Sequence, residues 1–228
     1  MHLPNGSQIF VQKELDNAAT NLEVTDIANH ATDVEITFKE NVNEKLHAGD
    51  YLIITECDWG RLVNRVVRIK SVPANQDNKK ITVNGIDTSD VNAHPEGAIA
   101  GKVTRVKSWI EIPCVQDLTQ DGGEQQYYTY QCLSDDQEKQ IPTYKSAVSL
   151  TYTFAHEYDN AIYPILRKYD ESGDVVALRM YIPKAKEMRC WSGVLAFNEI
   201  PQTAVNEMET VSLSVSLKGR FTFLPSTQ

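Results

Sequence analysis

Catalysis, metal binding and phosphate recognition each demand particular residue types at fixed spacing, and in this chain of 228 residues every such pattern is absent or broken. No G-x-S-x-G elbow is present to present a serine nucleophile. Gly97-Ala98-Ile99-Ala100-Gly101-Lys102 has the outline of a phosphate loop, but it is one residue short and is followed by Val103 where Ser or Thr would hold magnesium. It reads as a turn before a strand. Asp117 and Asp121-Gly122 suggest a calcium loop, yet Leu118 to Gln120 contribute no carboxylate between them, so a surface loop is expected. The histidines, His2, His30, His47, His94 and His156, never fall four residues apart, and none belongs to an H-E-x-x-H motif. Asp135/Asp136 and Glu207/Glu209 have the chemistry of an acid–base pair, but they stand in acidic, loop-like runs and read as solvated charge. Cys57, Cys114, Cys132 and Cys190 are far apart, with no C-x-x-C pair, so each is expected to be a buried, reduced, inert thiol. The chain is therefore expected to be no enzyme and to need no cofactor or metal.

Bulk properties narrow the classes further. The formal charge of −9 and a pI near 5.1 argue against general nucleic-acid binding, which rests on Lys and Arg neutralising phosphates. No apolar run approaches the roughly 18 residues of a membrane helix. Met1 to Ser7 carries neither a basic nor an apolar signal region, so folding in the compartment of synthesis is expected.

Alternating and β-branched runs dominate. Strands are expected at Gln8–Lys13, Glu23–Ala28, Val34–Lys39, Tyr51–Thr55, Arg61–Val72, Lys80–Gly85 and Val103–Pro113. More follow at Tyr127–Leu133, Ala147–Phe154, Val175–Ile182, Arg189–Phe197, Thr210–Leu217 and Arg220–Leu224. Roughly thirteen strands with turns between them suit a sandwich or barrel. Between Asp159 and Ser172, Ile162, Ile165, Leu166 and Tyr169 make one apolar stripe at helical spacing. The spacing predicts a helix over about 158–172, with Asp159 or Asn160 as cap, Pro164 in or near the first turn and Gly173 as its left-handed stop. Polar stretches at Asn41–Asp50, Ser71–Lys79 and Asp117–Gln126 read as loops, the last as a hairpin tip centred on Gly122-Gly123. Ser134–Ser146 reads as extended. Trp59, Trp109 and Trp191 are expected in the core.

The run Gln140-Ile141-Pro142-Thr143-Tyr144-Lys145-Ser146-Ala147-Val148-Ser149-Leu150-Thr151-Tyr152-Thr153-Phe154-Ala155 resembles the tail tube proteins of non-contractile, long-tailed bacteriophages. The order that follows is similar as well: a helix, the strand Val175–Pro183, Phe197-Asn198-Glu199-Ile200-Pro201, then Asn206-Glu207 leading into Val211–Thr222. Upstream, Ile86-Asp87-Thr88-Ser89-Asp90 and Pro95-Glu96-Gly97 add to the likeness. It covers residues 80–224, and 1–228 is expected to form a single tail-tube domain.

The resemblance implies a β-sandwich or barrel with one flanking helix, joined edge to edge into a hexameric ring, with rings stacked around a channel for DNA. It implies a virion tail protein made and assembled in the host bacterial cytoplasm. Its partners would be further copies of itself, a tape measure protein, a tail terminator and distal tail or baseplate proteins. DNA would pass without specific binding, and no membrane is involved. By analogy an acidic lumen would slide past DNA, with Glu111, Glu124, Asp135, Asp136 and Glu209 as candidate lumen carboxylates; an outer solvated position fits each as well. Inter-ring contacts would use Asn41–Asp50, Asp117–Gln126 and the N-terminal arm through Gln8, with Gly6, His47, Asp50, Asp121, Gly122 and Gly123 as candidates. Two other readings stay open: the inner tube of a bacterial contractile injection or secretion system, and a β-sandwich binding module using Tyr127, Tyr128 and Tyr130.

Overall fold

The computed structural model describes residues 5–73 and 78–226. The first four residues of the N-terminal arm and the centre of the Ser71–Lys79 loop lie outside the described residues. The first half of the chain supplies β1 (Gln8–Leu15), β2 (Leu22–Ile27), β3 (Val34–Phe38), β4 (Tyr51–Cys57), β5 (Val66–Ser71), β6 (Lys80–Asn84) and β7 (Gly101–Glu111). Strict alternation builds these strands: Val34, Ile36 and Phe38 are buried while Glu35 and Thr37 lie between them at the surface. The order β2-β3-β6-β5-β4-β7 closes on itself through Leu22 opposite Val103 and Val24 opposite Gly101. The result is a six-stranded barrel. Its interior is filled by side chains such as Ile36, Phe38, Leu52, Ile54, Ile69, Ile81 and Val83, with Trp59 and Leu62 closing one end. Each such burial stabilises by about 1.5–3 kcal/mol, so this barrel is a packed core.

The second half supplies β8 (Val115–Asp121), β9 (Gln125–Tyr130), β10 (Lys139–Lys145), β11 (Ser149–Ala155), α1 (Tyr163–Ser172), β12 (Val175–Ile182), β13 (Glu187–Gln202), β14 (Thr210–Leu217) and β15 (Thr222–Pro225). A seven-strand path, β7-β1-β12-β13-β14-β11-β8, continues from the barrel. Its two edge strands, β7 and β8, are consecutive in sequence and joined by only Ile112, Pro113 and Cys114. Ile112 donates to the Ile9 carbonyl (2.8 Å), and the Cys114 carbonyl accepts from Ala155 (3.2 Å). The sheet must therefore be rolled until both edges reach this short link. Inside the roll lie Val11, Leu150, Tyr152, Phe154, Leu178, Trp191, Leu195 and Leu213, and α1 packs on them over β13.

The mainly β fold with one flanking helix agrees with expectation, but several local features differ. Helix α1 begins at Tyr163, later than expected. A helix starting near 158 would place Pro164 in its interior, where a missing N–H and the ring clash break the backbone ladder. Asp159 instead takes a left-handed φ of 64°, and the Asn160 side chain accepts from the Ile162 N–H. Gly173 ends the helix at φ 65°, its N–H bonded to the Tyr169 carbonyl.

Residues 117–126 are not a hairpin tip: β8 runs to Asp121 and β9 starts at Gln125, so Gly122-Gly123 is a bend midway along a longer hairpin. The turn of that hairpin spans 131–138. β8 and β10 were not expected as strands. Nor are all cysteines buried. All four are free, but Cys114 and Cys132 are exposed, because one sits in the edge link at φ 41° and the other in the hairpin turn.

Candidate functional site

With no cluster among the described residues able to hold a metal, the surfaces that stand out are an open sheet edge, a projecting arm and one polar sheet face. β8 bonds only β11 among the described residues, so its second edge carries unpaired backbone groups. Residues 107–111 of β7 are open in the same way, since pairing to β4 ends at Val106. Such edges invite pairing with another chain.

Beyond Gly122-Gly123 the hairpin continues as an isolated two-stranded sheet, β9 with β10. Both glycines have positive φ, and a Cβ on Gly122 would overlap the Ala147 carbonyl oxygen. The bend thus depends on glycine at a close backbone approach. The arm exposes Tyr127, Tyr128, Leu133, Ile141 and Tyr144. Tyr128 and Tyr130 stack with centroids 6.4 Å apart, on a free ribbon and not along a groove. A second exposed apolar group, Tyr158 and Ile200, lines a cleft of about 570 Å³ beside the start of α1, and Val205 and Met208 extend from the neighbouring β13–β14 turn.

The third surface is the outer face of the roll. Register places Asp121, Ser149 and Ser216 in one row, Thr119, Thr151 and Ser214 in a second, and Asp117, Thr153 and Ser212 in a third. On β13 the rows end at Val194, Ala196 and Asn198. The residues between them, Leu150, Tyr152, Phe154, Leu213 and Val215, point into the core. Toward β12, the outer face is instead covered by the barrel wall. There Tyr51, Val66, Ala177, Cys190 and Leu224 pack together. Burial pushes the Cys190 thiol up to about 12, with Arg179 and Arg68 opposing weakly. Arg179 itself lies over the rings of Phe10, Tyr51 and Trp109, 4.7–5.2 Å from their centroids.

The structure does not gather the candidate carboxylates into one site. Glu111 ends β7, where Gln8 Nε2 donates to it at 3.3 Å. Glu124 stands at the arm's bend, bonded through its backbone to Ser146. Asp135 and Asp136 occupy the arm's turn, and Lys139 holds the Asp135 carboxyl below its usual range. Glu209 precedes β14, accepting from Thr203 Oγ1. Among the candidate contact residues, Gly6 precedes β1 and Asp121 ends β8. His47 bonds Asp50 through its backbone N–H. Asp50 is occupied within the subunit: with Asp16 it flanks Arg105 (2.8 and 2.9 Å), pinning the Asn41–Asp50 loop to β7.

Sequence reasoning missed the hydroxyl rows, although the alternation Val211-Ser212-Leu213-Ser214-Val215-Ser216 carries them openly.

A sequence model of the phage tail tube protein family matches residues 57–226. The chain belongs to that family. As a tail tube protein it is structural and non-enzymatic. The match covers part of the barrel, the whole hairpin arm and the strands from β8 to β15. No curated protein matches the chain.

Proposed function

We propose that this tail tube protein is the repeating subunit of a phage tail tube, one domain over 1–228, forming stacked six-membered rings around a channel through which DNA passes. It would reside in the virion tail after assembly in the host cytoplasm, meeting tape measure, terminator and distal tail proteins at the ends of the tube. The observation that carries this reading is the rolled sheet left open at β8, next to an arm whose apolar side chains have no cover in the subunit. An isolated two-stranded hairpin is marginal in water, so the arm needs a partner surface. Two different sticky surfaces, the arm and the cleft at Tyr158 and Ile200, suit a head-to-tail contact, which closes into a ring if the rotation allows. Contacts between stacked rings would form a separate interface, drawing on the candidates Gly6, His47, Asp121, Gly122 and Gly123.

Negative-stain electron microscopy of the purified protein, alone and with a tape measure protein, tests this. Hollow rings or tubes of uniform width are expected. A monomer under every condition, including with the tape measure protein, would overturn the proposal.

A further inference from the structure

The two solvent faces of this chain are dressed differently. Around the barrel, the outer face carries cross-strand ion pairs: Lys39 with Glu23, Lys80 with Glu35, Lys102 with Glu56 and Lys70 with Asp33. On the outer face of β8, β11 and β14 no Lys or Arg occurs in any of the three rows, and the only charges are Asp117 and Asp121 on the edge strand. Short hydroxyl side chains fill the remainder, and one cross-strand pair, Thr151 Oγ1 and Ser214 Oγ, is hydrogen-bonded at 3.1 Å.

We infer that this hydroxyl face is the channel lining, presented to a DNA duplex in transit; the inference rests on the ring reading above. Cations on such a wall would bind phosphates and release counterions, adding attraction that slows a sliding polyanion. Long side chains would also need to be ordered or pushed aside, at an entropic cost that Ser and Thr largely avoid. A wall of short, uncharged hydroxyls stays hydrated without attracting the duplex, and Asp117 and Asp121 add weak repulsion where one subunit's sheet meets the next. The lining is thus mainly neutral hydroxyl, with these two carboxylates in place of a carboxylate carpet.

Single cysteines at Thr151 and Ser214 (Thr151→Cys, Ser214→Cys), in a Cys114→Ser, Cys132→Ser background, test the assignment. Each is labelled as free subunit and as assembled tube, with a small maleimide and with one on a bulky polyethylene glycol chain. The two sites are independent, so one variant that fails to fold leaves the other. Both reagents should label the free subunit, while in tubes only the small one should react. Bulky labelling of tubes would place the face outside, and loss of both labels would place it between copies; either result overturns the inference. Absence of tubes even from the parent chain would remove the ring reading and this inference with it. As a second readout, tubes of Thr119→Lys/Thr151→Lys/Ser214→Lys should retain duplex DNA in a salt-sensitive way while parent tubes do not. Equal retention by both also overturns it.

Discussion

Cys190 shows how one buried residue ties stability to pH. It lies where the barrel wall covers the outer face of β12 and β13, and its surroundings disfavour the thiolate. Its ordinary value of 9.0 is pushed up to about 12, so the folded chain holds the thiol proton more tightly than the unfolded chain does. That contribution is full below the ordinary value and is lost as pH rises through the window between the two values. Tyr51, Tyr152 and Tyr169 act with the same sign, because burial raises each of them. The parent chain should therefore lose stability above about pH 9, and Cys190→Ala should lose measurably less over the same interval. Urea unfolding of both proteins at about pH 8 and about pH 10.5 checks this, and parallel losses would sink the assignment. Residues of this kind were only half legible in sequence. Burial of Cys190 was expected, but the same expectation failed for Cys114 and Cys132, whose exposure follows from a chain link and a turn that residue type alone does not reveal.

At the scale of elements, legibility followed burial. β14 matches its expected bounds because one face is core and the other is not, which imposes a period of two, whereas β12 matches because it is an apolar, β-branched run with residues buried on both faces. β8 and β10 escaped because almost every residue in them is exposed in the subunit, so no core face imprints a pattern on QDLTQD or KQIPTYK. For the same reason Gly122-Gly123 looked like a tip: glycine pairs mark bends, and only the strands on both sides distinguish a bend from a turn. The hydroxyl rows were readable letter by letter, yet their alignment across three strands needs the register. An exposed arm should matter to assembly and little to folding. Tyr128→Ser with Ile141→Ser, a cross-strand pair on one arm face, should change subunit stability by no more than about 0.5 kcal/mol. Tube formation, read by electron microscopy or sedimentation, should be lost. Normal tubes from this variant would show that the apolar arm face is not the contact.

For the molecule as a whole, two cores share one continuous sheet. Trp59 lies in the barrel core and Trp191 in the core of the rolled sheet, so each reports on one half. The halves are coupled covalently and by pairing. β7 gives residues 101–106 to the barrel and 106–111 to the roll, while β1 and β2 run as one interrupted strand along the same neighbour. At the seam, Arg65 donates to Thr222 Oγ1 and to the Gly85 and Phe221 carbonyls, and Arg68 donates to the Pro225 carbonyl. These bonds fasten β15 against the barrel while it pairs with β13. Unfolding one half would therefore strip partners from β7, β1 and β15 in the other, leaving buried guanidinium groups and strand edges unsatisfied. Two single-tryptophan reporters, Trp109→Phe with Trp191→Phe and Trp109→Phe with Trp59→Phe, should show coincident urea midpoints once each variant's own stability change is allowed for. Adding Arg65→Ala should shift both transitions together, because the seam belongs to one cooperative unit. Separate midpoints in the parent background, or a shift in the Trp191 transition alone after Arg65→Ala, would mean that the barrel and the roll fold as independent bodies despite the strand they share.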